Sequence, residues 1–215
     1  MKAIQKKTLH QEIANNLREM IMSGELQEGD KIKENELCIV MEISKTPLRE
    51  ALRVLSAEGL IRLIPNRGSY VTTPTFEEIK EMFDVMSVLE GVCARTAAEK
   101  MSSGDFKKLE DIHHQLEKNF RLKDQKQYIH HNNLYHAFVQ ELAGNKTLNQ
   151  IVNGLRQKIL LYRFKSLNLS GRFKQSIQEH RDLLEAFRNR DAEKAELLMT
   201  SHMKKQSEAL EKLAT

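Results

Sequence analysis

A mostly helical chain in two parts is predicted, an N-terminal winged helix-turn-helix followed by an antiparallel all-helical bundle. Three observations predict it. The residue mix is rich in Leu, Glu, Lys, Met and Gln, and only 9 Gly and 3 Pro punctuate 215 residues, which favours helices over long loops. Before Thr73 three short helical patterns are followed by two strand-like runs. After Thr73-Pro74-Thr75 every apolar pattern has a helical period.

The first part is predicted to span 1–73. Ile13, Leu17, Met20 and Ile21 recur at helical spacing over 8–23, with Thr8 as a cap and Gly24 as the stop. Glu28-Gly29-Asp30 is a turn, and Glu34 to Val40 is a short second helix with Leu37 and Cys38 inward. Ser44-Lys45-Thr46-Pro47 then opens a third helix, which runs to about Glu58. Ser44 or Thr46 suits the cap, and Pro47 suits a first turn that needs no backbone donor. Leu60 to Ile64 and Ser69 to Thr72 flank the turn Pro65-Asn66-Arg67-Gly68 and read as a hairpin.

Residues 74–78 are predicted as a linker and 79–215 as the bundle, with six or seven helices near 76–90, 90–101, 103–122, 125–143, 145–167, 173–189 and 191–212. Asp191 is the expected cap of the last one.

Several classes are excluded by composition. No apolar run approaches a membrane span, and Met1 to Lys7 lacks the apolar core of a secretion signal. Cys38 and Cys93 are far apart in helical patterns, as expected of reduced thiols in a cytoplasmic protein. No Gly-rich phosphate loop, nucleophile elbow or His-Glu-x-x-His motif occurs, so an enzyme is not expected. Net charge, at +4, says little about nucleic acid. Residues 1–73 hold 11 Lys or Arg against 10 Asp or Glu, and the remainder 23 against 20. A DNA-binding reading therefore rests on where charges sit.

They sit at the start of the third helix. Leu48, Ala51, Leu52 and Leu55 form an apolar stripe, while Lys45, Thr46 and Arg49 are left on the outer face of the first turns. Arg can read guanine in a major groove, and Thr and Lys can hold phosphates or base edges. Arg67 and Gly68 at the wing tip and Asn35 at the start of the second helix complete the candidate contacts. A homodimer of such units would read an inverted repeat in double-stranded DNA. The competing reading is an architectural DNA-binding protein with a purely structural bundle.

All of the 8 histidines except His10 lie in the second part. His136, His180 and His202 fall on apolar faces of different helices. Three inward rings either satisfy one another or hold a divalent metal, and Asn132 lies one turn before His136 on the correct face to join them. His113, His114, His130 and His131 occur as adjacent pairs, so at most one of each pair can face inward. From Leu155 to Gln178 there is no acid but six cations, among them Arg156 and Arg163, which are candidates to meet an effector.

These motifs resemble a known family. Gly24 to Ile32, Glu34-Asn35-Glu36-Leu37, Ser44 to Leu52, Glu58-Gly59-Leu60-Ile61 and Asn66 to Val71 are similar to the DNA-binding domain of GntR-type bacterial transcription regulators. Residues 79–206 resemble the FCD effector-binding domain of the FadR-like branch. The matches are Leu89-Glu90, Asn132 to His136, Gly144-Asn145, Glu179 to Leu184, Asp191-Ala192 and the stretch from Ala195 to His202. The resemblance implies a ligand-responsive regulator, a repressor, that senses a small organic acid through its carboxylate. It also implies a divalent ion (Zn, Ni, Mn, Co or Fe) held by Asn132, His136, His180 and His202. This chain has Lys45 where the family usually has Arg, Asn132 at a position commonly Asp, and Met86 where an Arg often precedes the Glu by one turn.

Overall fold

The computed structural model describes residues 9–72, 74–167, 169 and 171–214, with the backbone alone described at 22, 157, 160, 161, 163–165 and 212–214. The chain divides into two compact units, 1–75 and 76–215. The expected cap at Thr8 and the centre of the seam at Thr73 lie outside the described residues.

In the first unit α1 (Leu9–Ser23), α2 (Glu34–Val40) and α3 (Lys45–Ala57) precede β2 (Ile61–Ile64) and β3 (Gly68–Val71). A further strand, β1 (Lys31–Ile32), pairs with β3, giving an antiparallel sheet in the order β1-β3-β2. Lys31 faces Tyr70, and Ile61 faces Val71. Two residues carry no readable period, so β1 is invisible in the sequence. Ile13, Ala14, Leu17 and Ile21 of α1 and Leu48, Ala51, Leu52 and Leu55 of α3 are buried. Arg18 of α1 holds the carboxylate of Glu58 through two nitrogens, at 2.7 and 2.6 Å. The short α2 differs from expectation. Leu37 and Cys38 are only half-buried and Ile39 and Val40 are exposed, because seven residues make too few turns to bury a stripe.

The second unit contains α4 (Phe76–Lys100), α5 (Ser103–Leu122), α6 (Gln125–Ala143), α7 (Lys146–Leu167), α8 (Arg172–Arg188) and α9 (Ala192–Ala214). The break expected near residue 90 does not exist: α4 is one helix of 25 residues. Gly91 lies within it, where a Cβ would come 2.3 Å from Thr200 Oγ1 and 3.3 Å from the Glu196 carbonyl of α9. The glycine is there for close helix packing and not to end the helix. The helix ends are marked by caps, of which Asp191 is the expected one. Ser102 and Asp105 form a capping box on α5, Asp124 caps α6 through Gln127 N, Gly144 ends α6 at φ +71°, and Asp191 accepts from Lys194 N. The main core joins α4, α5, α6, α8 and α9 through residues such as Ala94, Leu109, Tyr135, Leu183 and Met199. A separate apolar cluster contains Ile79, Phe83 and Met86 of α4, Ile159 of α7, and Met203 and Leu210 of α9.

Candidate DNA-binding face and histidine centre

Burial of the apolar stripe turns the other face of α3 outward, and Lys45, Thr46 and Arg49 are exposed there. Ser44 occupies the N-cap position with extended backbone but makes no side-chain cap bond, contrary to expectation. The exposed first turn thus keeps its N–H groups directed outward, where they and the helix dipole suit an anion. Arg49 Nε donates to Glu34 Oε2 of α2 at 2.9 Å, and 61% of the Arg49 side chain is exposed. That ion pair holds the guanidinium across two helices while leaving it accessible. Asn35 is exposed beside Glu34. At the wing Asn66 and Gly68 both adopt positive φ, at +59° and +108°, which leaves Arg67 exposed at the tip. A side chain at Gly68 would also crowd Lys31 Cε at 3.2 Å.

In the second unit α6, α8 and α9 bring His136, His180 and His202 together. All three are fully buried, and one ligand nitrogen of each lies within 4.8 Å of the others. Asn132 joins them, with its Oδ1 at 2.8 Å from His180 Nε2. Carboxylates behind the rings orient them. Glu90 Oε2 accepts from His136 Nδ1 at 3.0 Å, and Glu179 Oε2 accepts from His202 Nδ1 at 2.6 Å. An ionised carboxylate only accepts, so each of these Nδ1 atoms carries the proton and Nε2 keeps the lone pair a metal needs. Burial pushes the Glu179 carboxyl up, but the His202 bond and the Arg172 guanidinium outweigh it and hold it below the usual range. Three imidazoles and an amide oxygen form a neutral donor set that fits Zn, Ni, Co, Mn or Fe by chemistry.

Arg156 reaches this centre from α7. Its NH1 is 2.5 Å from Glu90 Oε1, and its NH2 donates to Asn133 Oδ1 at 3.1 Å. The candidate effector contact is therefore engaged with the carboxylate that orients His136. The Arg163 side chain lies outside the described residues. Of the paired histidines, only His113 is fully buried among the described residues. It lies on α5, edge-on to Tyr135. Cys93 is buried beside Glu90, and burial pushes its thiol up to about 12, so it stays a protonated packing residue.

Glu90, Glu179 and Gln140 were not singled out as site residues by sequence reasoning. Gln140 Nε2 donates to Glu90 Oε1 at 3.2 Å. The available signal was an acid on an otherwise apolar face: Glu90 shares its stripe with Phe83, Met86, Ala94 and Ala97.

Two family models match the chain. The family model described as "FCD domain" matches residues 81–205, and "Bacterial regulatory proteins, gntR family" matches residues 9–71. The chain belongs to the GntR family, with an FCD domain behind its helix-turn-helix. It is similar to the "HTH-type transcriptional repressor RspR" of Escherichia coli K12, at 24% identity over 95% of this chain and 90% of that protein. It is also similar to a "Gluconate operon transcriptional repressor" of Bacillus licheniformis, at 27% identity over 80% and 70%. The solved structure of McbR/YncC from E. coli shares the fold, with a TM-score of 0.80 and 20% identity over 98% and 100%. This GntR-family protein is thus a sequence-specific DNA-binding transcription regulator with a small-molecule effector domain, and its family is not one of enzymes. Among the described residues no helix is long and apolar enough to cross a membrane.

Proposed function

We propose that this regulator is a cytoplasmic repressor whose homodimer binds an inverted repeat and senses a small organic acid at a metal held by Asn132, His136, His180 and His202. The observation that carries the sensing part is the convergence of three buried imidazoles from three helices within 4.8 Å. A divalent ion there would supply Lewis acidity, anchoring a carboxylate without a dedicated guanidinium. The four proposed ligands leave the centre without a negatively charged donor, which favours an anionic guest. The gluconate repressor among the similar proteins is named for an operon of organic-acid metabolism and supports the same class. Glu90 and Glu179 fix the rings, and Arg156 holds Glu90.

Lys45, Thr46, Arg49, Arg67, Gly68 and Asn35 are the proposed DNA contacts, with Arg49 reading a base and the others placing phosphate. Val85, Val88 and Val92 form an exposed apolar stripe at helical spacing on α4, which supports self-association. An effector controls DNA binding only by favouring one arrangement of the chain over another.

The test is selection of bound duplexes from a randomised DNA library. The expected result is an inverted repeat bound at least about 10³-fold more tightly than scrambled duplex of equal length. Equal affinity for both would overturn this reading in favour of an architectural role.

A further inference from the structure

We infer that the acid sensed here carries an uncharged hydroxyl about one helical turn from its metal-bound carboxylate, and that Gln206 recognises it. This inference rests on the organic-acid reading above. Gln206 is 0% exposed, and neither its Oε1 nor its Nε2 has a hydrogen-bond partner among the described residues. It follows His202 by four residues on α9, so the two side chains share an inward face about 6 Å apart along the helix.

The surroundings of that amide are fixed by how α9 runs along α4. Lys80 pairs with Glu211 at 3.6 Å, and Arg95 pairs with Glu196 at 3.1 Å. Gly91 lies against Glu196 and Thr200 between them. The two helices are therefore antiparallel, and Gln206 is level with the turn of α4 that contains Met86. Among the described residues, Met86, Phe83 and Ile159 pack there with Met203 and Leu210, the neighbours of Gln206 on its own helix, and Tyr162 packs against them. A buried amide with neither group met costs about 1–3 kcal/mol per group, and Leu or Met would fill similar volume without that cost. Packing therefore does not account for Gln206.

A ligand hydroxyl both donates and accepts, so one such group meets both halves of the amide. A second carboxylate would match only Nε2 and leave Oε1 unmet. A methyl would leave the amide unmet. A site built around a hydroxyl rejects the analogue that lacks it far more strongly than an apolar pocket rejects an added one.

The experiment is calorimetric titration of the full-length protein loaded with Zn2+, using pentanoate, 4-hydroxybutanoate and succinate. The first two differ by methyl against hydroxyl at the same chain position. Wild type should bind 4-hydroxybutanoate at least about tenfold more tightly than pentanoate, with succinate the weaker of the two oxygenated acids. Gln206→Leu and Gln206→Met should bring the ratio of hydroxy acid to pentanoate near unity, with zinc content unchanged and thermal stability equal or higher. Two variants guard against one that fails to fold. Equal binding of pentanoate and 4-hydroxybutanoate by wild type, tighter binding of succinate, or an unchanged ratio in folded variants would overturn the inference alone. Failure of all three acids to bind zinc-loaded wild type would overturn the organic-acid reading and this inference with it.

Discussion

His136 Nδ1 lies 3.0 Å from Glu90 Oε2, and both side chains are fully buried. The carboxylate accepts a hydrogen bond from Nδ1–H and so leaves Nε2 as the atom with a lone pair. Glu90 is held in turn by Arg156 and Gln140. One buried acid of α4 thereby links the histidine centre to α6 and α7. Glu90→Gln keeps the shape but can present an N–H to the ring. Divalent-metal affinity, measured by competition with a chelator, should fall about 10–100-fold while the fold is kept. Unchanged affinity would show that Glu90 does not orient His136.

Arg49 is exposed on the outer face of α3. Arg49→Ala should weaken binding to the selected duplex by about 1–3 kcal/mol, roughly 5- to 150-fold, without changing the mass of the assembly in light scattering. Lys45→Ala should weaken specific and scrambled duplexes alike, since an ammonium holds phosphate as a point charge.

Gly91 tests how closely α4 and α9 pack. Gly91→Ala should lower stability by about 1–3 kcal/mol in denaturant unfolding, despite the better helix propensity of Ala, because the new methyl meets Thr200 Oγ1. Adding Thr200→Ala removes that contact and should recover most of the loss, a coupling that a double-mutant cycle measures directly.

Glu117 and Arg181 form a two-point ion pair between α5 and α8, at 2.5 and 2.9 Å. The Arg181 hydrogen bonds hold the Glu117 carboxyl below its usual range. A depressed carboxylate contributes stability above its unfolded value, near 4.5, and loses it as pH falls through the lower folded value. Both side chains keep solvent contact, so the contribution is about 0.5–1 kcal/mol. Glu117→Gln should lower the Tm by about 1–3 °C at pH 7. The gap from wild type should close as pH drops below about 4. A gap that widens in acid would contradict the assignment.

Both units were readable from period and punctuation, because α3 and the bundle helices carry long apolar stripes ended by Gly, Asp or Ser. His136, His180 and His202 were legible as a group for the same reason: each is a polar ring on an apolar face. What escaped were features set by neighbours distant in sequence. The boundary expected near residue 90 is absent, and Gly91 there packs against Thr200, over a hundred residues away. The strand Lys31–Ile32 exists only through pairing with β3. Arg156, an effector candidate by sequence, pairs instead with Glu90, 66 residues earlier.

The histidine centre is the claim on which the sensing account depends, and metal stoichiometry tests it most directly. Protein stripped with chelator, reloaded with Zn2+ or Ni2+ and desalted should carry about one ion per chain by elemental analysis, as expected for one set of converging ligands. The variants His136→Ala, His180→Ala and His202→Ala should each carry far less. Wild type that retains no ion, or variants that retain as much as wild type, would contradict the account.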